Sequence, residues 1–93
     1  MNWLILYDIR DARRLRRVEK IVSSYAWRVQ KSVFESDAPK ETIEIMEYRL
    51  GYAIDENEDF ILIFNICEKD WQKKEKYGIS CEHEIINDMF HIL

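Results

Sequence analysis

Trp3-Leu4-Ile5-Leu6-Tyr7-Asp8-Ile9-Arg10-Asp11 reads as a buried strand that ends on a carboxylate. Five apolar or aromatic residues run from Trp3 to Tyr7, a length too short for a stable helix and suited to a strand. Asp8 then stands at the end of the strand. A basic helix is expected immediately afterwards, from Ala12 to Tyr25, with Asp11 as its N-cap, where a carboxylate can accept an orphan backbone N–H. One acid at a sheet edge beside a row of arginines suits a group that meets a metal ion and a phosphate. It suits an ordinary turn equally well, so the remainder of the chain has to discriminate.

In the helix, Leu15, Val18, Val22 and Tyr25 recur at three- and four-residue steps and form the core face. Arg13, Arg17 and Lys20 lie close to one row, and Arg14 and Arg16 share the remaining surface. Arg10, Arg13 and Arg14 put cations at the helix start, where they oppose the helix dipole. A helix built only for stability prefers acids there, so the placement points to an anionic partner, and a solvated arginine face accounts for it equally well.

Ala26 to Ser36 follows, with Trp27, Val29, Val33 and Phe34 as strand formers. The alternation breaks at Lys31-Ser32, which leaves two short strands with a tight turn or one bent strand. Arg28, Gln30 and Lys31 supply donors. Ser36 or Asp37 is the expected cap of a second helix, with Pro39 in its first turn. That helix is expected to run through Leu50 and stop at Gly51. Ile43, Met46 and Leu50 form its packed stripe, and Glu41, Glu44 and Glu47 face away. The acidic turn Asp55–Asp59 lacks the spacing and central glycine of a calcium loop. Phe60–Ile66 is apolar almost throughout, which predicts a central strand. A helical turn at Cys67–Trp71 comes next, then a charged stretch with Gly78 as a break and Ile79 as a strand candidate. The end, Glu84 to Leu93, carries Ile85, Ile86, Met89, Phe90 and Leu93 in a spacing that suits a short amphipathic helix or a tail packed on something else. The order is strand, helix, strand, strand, helix, strand and an extra strand: an α+β, ferredoxin-like βαββαβ domain with a C-terminal extension. One domain spans residues 1–93, with about 75–93 as a dimerisation extension.

The 93 residues, 47% hydrophobic and 34% charged, describe one small globular domain. Three Trp, five Tyr and four Phe exceed what so small a core needs, so burial against a partner is expected. No apolar run approaches the roughly 20 residues of a membrane span. No signal peptide is visible, so a cytoplasmic location is expected. Cys67 and Cys81 match no paired zinc spacing and read as reduced thiols. The net charge of −4 argues against nucleic acid, but its distribution does not. Residues 1–34 carry eight Lys/Arg against three Asp/Glu, and residues 35–93 carry six against fifteen, so a basic N-terminal third is hidden in the total.

Tyr7-Asp8-Ile9-Arg10-Asp11, then Arg14-Leu15-Arg16-Arg17-Val18, then Arg28-Val29-Gln30-Lys31-Ser32-Val33-Phe34-Glu35 resembles the small CRISPR-associated protein two family. The similarity is specific over residues 3–36 and weaker but consistent over 37–76. One departure is Ala26, where family members often carry glycine. The resemblance implies a symmetric homodimer in which the last strand of each chain joins the other chain's sheet. It implies a metal-dependent nuclease, with Mg²⁺ or Mn²⁺, acting on single-stranded RNA or duplex DNA. It also implies a bridge between dimers of the CRISPR integrase during spacer acquisition. The family's acid maps onto Asp8, and two copies of it face each other across the dimer axis. Arg10, Arg13, Arg14, Arg16, Arg17, Arg28 and Lys31 are then expected to hold the nucleic-acid backbone without reading sequence. No protein base stands out; His83 and His91 are candidates by residue type alone.

Four other readings compete. A non-catalytic DNA-binding scaffold of the integrase complex would carry the same residues with Asp8 dispensable. A toxin-like ribonuclease of the same fold would sit beside an antitoxin gene rather than a CRISPR array. A generic RNA-recognition sheet needs a Gly- and aromatic-rich central strand, and Phe60–Ile66 has no glycine. A small-molecule regulatory domain would need a glycine-rich phosphate or amino-acid loop, and none is visible.

Overall fold

The computed structural model describes residues 1–79 of the chain. Strands β1 (Asn2–Asp8), β2 (Trp27–Gln30), β3 (Val33–Ser36) and β4 (Phe60–Ile66) form one sheet, with α1 (Ala12–Ser23) and α2 (Lys40–Ala53) between them and a short α3 (Glu68–Trp71) after β4. The sheet order is β2-β3-β1-β4, with every pairing antiparallel. This is the ferredoxin-like βαββαβ arrangement, and it places β1 in the middle.

Period-two alternation decides what β1 does. Trp3, Ile5 and Tyr7 are buried on the side of the helices, whereas Leu4, Leu6 and Asp8 point to the opposite, open face. Opposite residues in adjacent strands share a face. Ile61 and Ile63 therefore join the helix side through Tyr7 and Ile5, and Phe34 joins it through Ile5. Val18 and Val22 of α1 and Ile43, Met46, Leu50 and Ala53 of α2 close the core. Trp3 adds a polar tie, since its indole Nε1 donates to the Ala38 carbonyl at 2.8 Å. Ile5 is fully buried at the centre. Ile5→Val is expected to cost about 1 kcal/mol of stability in urea unfolding, the ordinary cost of one buried methylene.

Asp11 caps α1 as expected, accepting from the backbone N–H groups of Arg13 and Arg14 at 3.0 Å each. The helix stops at Ser23, two residues short of the expected end. Tyr25 and Ala26 lie in the following turn, where both donate to the Val22 carbonyl. No non-glycine residue in the described chain takes a positive φ. Alanine at position 26 is therefore unstrained. Of the two possibilities for residues 26–36, two strands are present, joined at Lys31-Ser32.

Three local expectations are corrected. Neither Ser36 nor Asp37 caps α2: the N-cap is Pro39, with no side-chain bond. The Ser36 hydroxyl instead donates to the Tyr25 carbonyl at 2.7 Å and accepts from the Ala38 N–H. Second, α2 does not stop at Gly51 but continues to Ala53. An exposed helical glycine costs about 1 kcal/mol relative to alanine, and the burial of Leu50 and Ala53 on either side outweighs it. Third, β4 is an edge strand in the described chain and not a central one. Among the described residues β1 is its one neighbouring strand, and its apolar residues serve both faces of the sheet. Ile61 and Ile63 meet the core, while Phe60, Leu62 and Phe64 lie exposed on the open face.

The chain after β4 turns back over part of that open face. Glu35, which points to this face and is buried, is held by Lys74 at 3.0 Å and Lys76 at 3.1 Å. Leu4, Val29, Val33, Ile66 and Trp71 enclose a small apolar pocket beneath the crossing segment. Gly78 sits at φ +87°, the left-handed region that glycine enters without penalty. Ile79 belongs to no strand, and its carbonyl accepts from the Gln30 side-chain amide at 2.8 Å. The expected extra strand, the apolar segment 84–93, Cys81, His83 and His91 lie outside the described residues.

Candidate nucleic-acid interface and acidic centre

Asp8 ends β1 on the open face, opposite Phe60 of β4. Its side chain is 65% exposed, and its charged neighbour is Arg10, with Nη2 3.6 Å from Oδ2. The carboxylate is thus presented to solvent at the rim of an apolar sheet face. Among the described residues no group of three His, Cys, Asp or Glu converges to hold a metal ion. A hard oxygen donor suits Mg²⁺ or Mn²⁺, which need one or two carboxylates and complete their shell with water and phosphate. Among the described residues, Asp8 is the carboxylate that this rim of the sheet presents to solvent. Tyr7 is no substitute base. Burial, reinforced by Glu19, pushes its phenol above the ordinary value, so it stays protonated.

Asp59, which the sequence presents as the end of a solvated acidic turn, organises the surroundings of Asp8. Its side chain is fully buried. Oδ1 accepts from the Arg10 backbone N–H at 2.9 Å, and Oδ2 accepts from Arg14 Nε at 2.7 Å and from the Asp55 N–H at 2.9 Å. The Arg14 guanidinium, followed by the backbone donors, holds the Asp59 carboxyl well below the usual carboxylate range, against the opposing effect of burial. Asp59 therefore clamps the Asp8–Asp11 turn and the first turn of α1 to the start of β4.

The basic residues divide into two groups. Arg14 is tied inside the molecule: besides Asp59, its Nη2 donates to Glu58 at 2.9 Å, and these partners raise its pKa above the already high ordinary value. Arg28 lies on the helix side of β2, with its guanidinium carbon 5.2 Å from the Phe34 ring centroid and Nη2 3.2 Å from Glu19. Neither side chain can leave for a phosphate without breaking an internal pair. Arg10, Arg13, Arg16, Arg17 and Lys31 are exposed. Among the described residues Arg13, Arg16, Arg17 and Lys20 have no carboxylate within 4.0 Å. Arg16, Lys20 and Arg28 border an open cleft between α1 and β2, with Glu19 and Ser23. Sequence reading placed Lys20 in the basic row of α1 without counting it among the site residues, and it missed the whole of the Asp59 clamp. The available signal for the clamp was an acid placed just before an apolar strand.

The family model for CRISPR associated protein Cas2 matches residues 1–74. Two curated relatives are each named a CRISPR-associated endoribonuclease Cas2. One, from Moorella thermoacetica, is 33% identical over 85 residues, covering 86% of this chain and 88% of that protein. The other, from Archaeoglobus fulgidus, is 32% identical over 77 residues and covers 83% of each. Among solved structures, the crystal structure of Streptococcus pyogenes Cas2 superposes with a TM-score of 0.75 at 31% identity, over 84% of this chain and all of that one.

Proposed function

The chain belongs to the CRISPR-associated protein Cas2 family, and on that premise we propose that it is a metal-dependent endonuclease of CRISPR adaptation that works as a homodimer. The observation that carries this reading is the exposed Asp8 carboxylate at the rim of the apolar face made by Phe60, Leu62 and Phe64, which lies open among the described residues. Contiguous exposed apolar surface marks an interface. Stacking the open faces of two chains would cover it and bring two Asp8 side chains to one site. Two carboxylates are the number a Mg²⁺ or Mn²⁺ site takes beside water and phosphate. When bound, the ion supplies Lewis acidity at a phosphoryl oxygen and a more acidic water. Asp8 holds it, Asp59 fixes the turn that carries Asp8, and Arg13, Arg16, Arg17 and Lys20 grip the phosphate backbone.

The relatives' names favour RNA as the substrate, and the basic row itself accepts either polymer because it meets phosphates only. Labelled single-stranded RNA and duplex DNA, incubated with Mg²⁺ or with chelator, test the activity. Metal-dependent cuts in one polymer support it. Absence of cutting in both leaves the second reading, a DNA-gripping scaffold beside the integrase subunit. The free cations of α1 favour that reading, since they need no catalytic group to act. The cytoplasm, where CRISPR arrays reside, is the location this role requires.

Two further results are expected. Phe64→Glu places a charge in the uncovered face and should weaken the dimer by at least about tenfold, the effect of a central interface residue worth more than 1.4 kcal/mol. Light scattering across a dilution series reads this, and an unchanged dimer would move the interface elsewhere. Arg16→Ala combined with Arg17→Ala should weaken RNA and DNA binding alike. It should lower the slope of log affinity against log salt by about 2, one for each lost phosphate contact.

A further inference from the structure

Helix α2 is apolar on two opposite faces. Ile43, Met46, Leu50 and Ala53 are buried against the sheet and α1. Half a turn away, Ile45, Tyr48 and Tyr52 recur at steps of three and four and are 55%, 68% and 78% exposed. A surface helix of an isolated domain presents polar residues there. The two tyrosines act as one platform: their rings meet edge to face at 5.2 Å between centroids, and their hydroxyls are 3.3 Å apart. Side chains of this size expose on the order of 400 Å², within the range of patches that mark interaction sites.

The charge around the stripe is one-sided. Glu41 continues it toward the helix start and Glu44 and Glu47 line one flank, all exposed. No cation among the described residues lies within 4.0 Å of these three. Arg49 on the other flank is folded inward, donating to the Tyr25 hydroxyl at 2.8 Å with its guanidinium carbon 5.6 Å from that ring's centroid. An apolar platform with an acidic flank repels nucleic acid and anionic membrane. The described residues of a second copy offer no match either. The cationic helix α1 turns Leu15, Val18 and Val22 inward and presents charge without an apolar cleft, and the small apolar pocket beside Lys74 and Lys76 has both lysines held by Glu35.

We infer that the outer face of α2 docks a different protein, one that brings an apolar cleft for Tyr48, Tyr52 and Ile45 with lysine or arginine side chains beside Glu44 and Glu47. Tyrosines buried in such a cleft are the residue type that dominates interface energetics. The surface is separate from Asp8 and the α1 cations, so it stands whether or not the chain cleaves nucleic acid.

The test places p-benzoylphenylalanine at Tyr52 in the full chain, in the cells that make it, and identifies the photo-cross-linked species by mass spectrometry. The expected product is one protein other than this chain, cross-linked at a segment rich in lysine or arginine. Glu44→Lys with Glu47→Lys should reduce that product at least tenfold, and changing the partner's neighbouring cation to glutamate should restore it. Circular dichroism melting of the charge-reversed chain verifies that it folds; Glu44→Gln with Glu47→Gln gives the same comparison at smaller amplitude. Cross-links to this same chain, to nucleic acid or to nothing, or a product indifferent to both charge changes, overturn the inference.

Discussion

Asp8→Asn is expected to lower metal-dependent cleavage by at least about a hundredfold, because the charge stabilisation supplied through a bound ion is worth several kcal/mol and each 1.4 kcal/mol is tenfold in rate. The amide keeps the shape of the side chain and removes the charge that a divalent ion requires. Stability should not change, since the Asp8 side chain is exposed and its ion pair with Arg10, at 3.6 Å, lies in solvent. The chelator supplies an internal control. It should reduce the natural protein to the level of the variant and leave the variant unaffected, because both interventions remove the same interaction. Equal activity in the two proteins would place the chemistry at another site, and a variant that melts early would make Asp8 structural.

Asp59→Asn carries the second large effect, on stability. The amide cannot accept from Arg14 Nε and the Arg10 and Asp55 backbone N–H groups as an ionised carboxylate does, and it leaves Arg14 without its buried partner. Breaking a buried ion pair from one side is among the most destabilising single changes, so a fall in Tm of at least about 10 °C is expected. The pH dependence follows from the same bonds. Asp59 has a folded pKa depressed below its ordinary value, chiefly by Arg14. The unfolded chain therefore takes up a proton there near pH 4 while the folded chain does not. The contribution is complete above the ordinary value and is lost progressively as pH falls below about 4. Calorimetric melting from pH 7 to pH 2 should show the natural protein losing stability more steeply than Asp59→Asn at the acid end. Parallel curves, or a variant melting within about 2 °C of the natural protein, would remove Asp59 from its role. Cleavage should fall in the variant as well, because Asp59 fixes the turn that carries Asp8.

The elements that sequence made legible are those whose signals are local. The run Trp3–Tyr7, the Asp11 cap, the Leu15-Val18-Val22 stripe and the break at Lys31-Ser32 each lie within a few residues, and each element was found where periodicity or capping put it. The errors came where the deciding partner was remote. Gly51 looks like a helix stop until the buried Leu50 and Ala53 are seen to favour continuation. The apolar residues of Phe60–Ile66 look central, and among the described residues the strand has β1 alone beside it, because composition reports faces to cover and not neighbouring strands. Ser36 looks like a helix cap until its hydroxyl is found on the Tyr25 carbonyl. The site divides in the same way. Asp8 and the exposed arginines of α1 could be named from their own stretch. The Arg14–Asp59 pair joins residues 45 positions apart, so nothing in either neighbourhood announces it.

A single stoichiometry tests the central claim, that Asp8 holds a divalent ion in a site completed by a second chain. Mn²⁺ is titrated into the purified dimer while free ion is followed by electron paramagnetic resonance, with Asp8→Asn measured alongside. One tightly held ion for every two chains, absent from the variant, is the expected result. One ion per chain, or the same binding in both proteins, would contradict the shared site and with it the proposed chemistry.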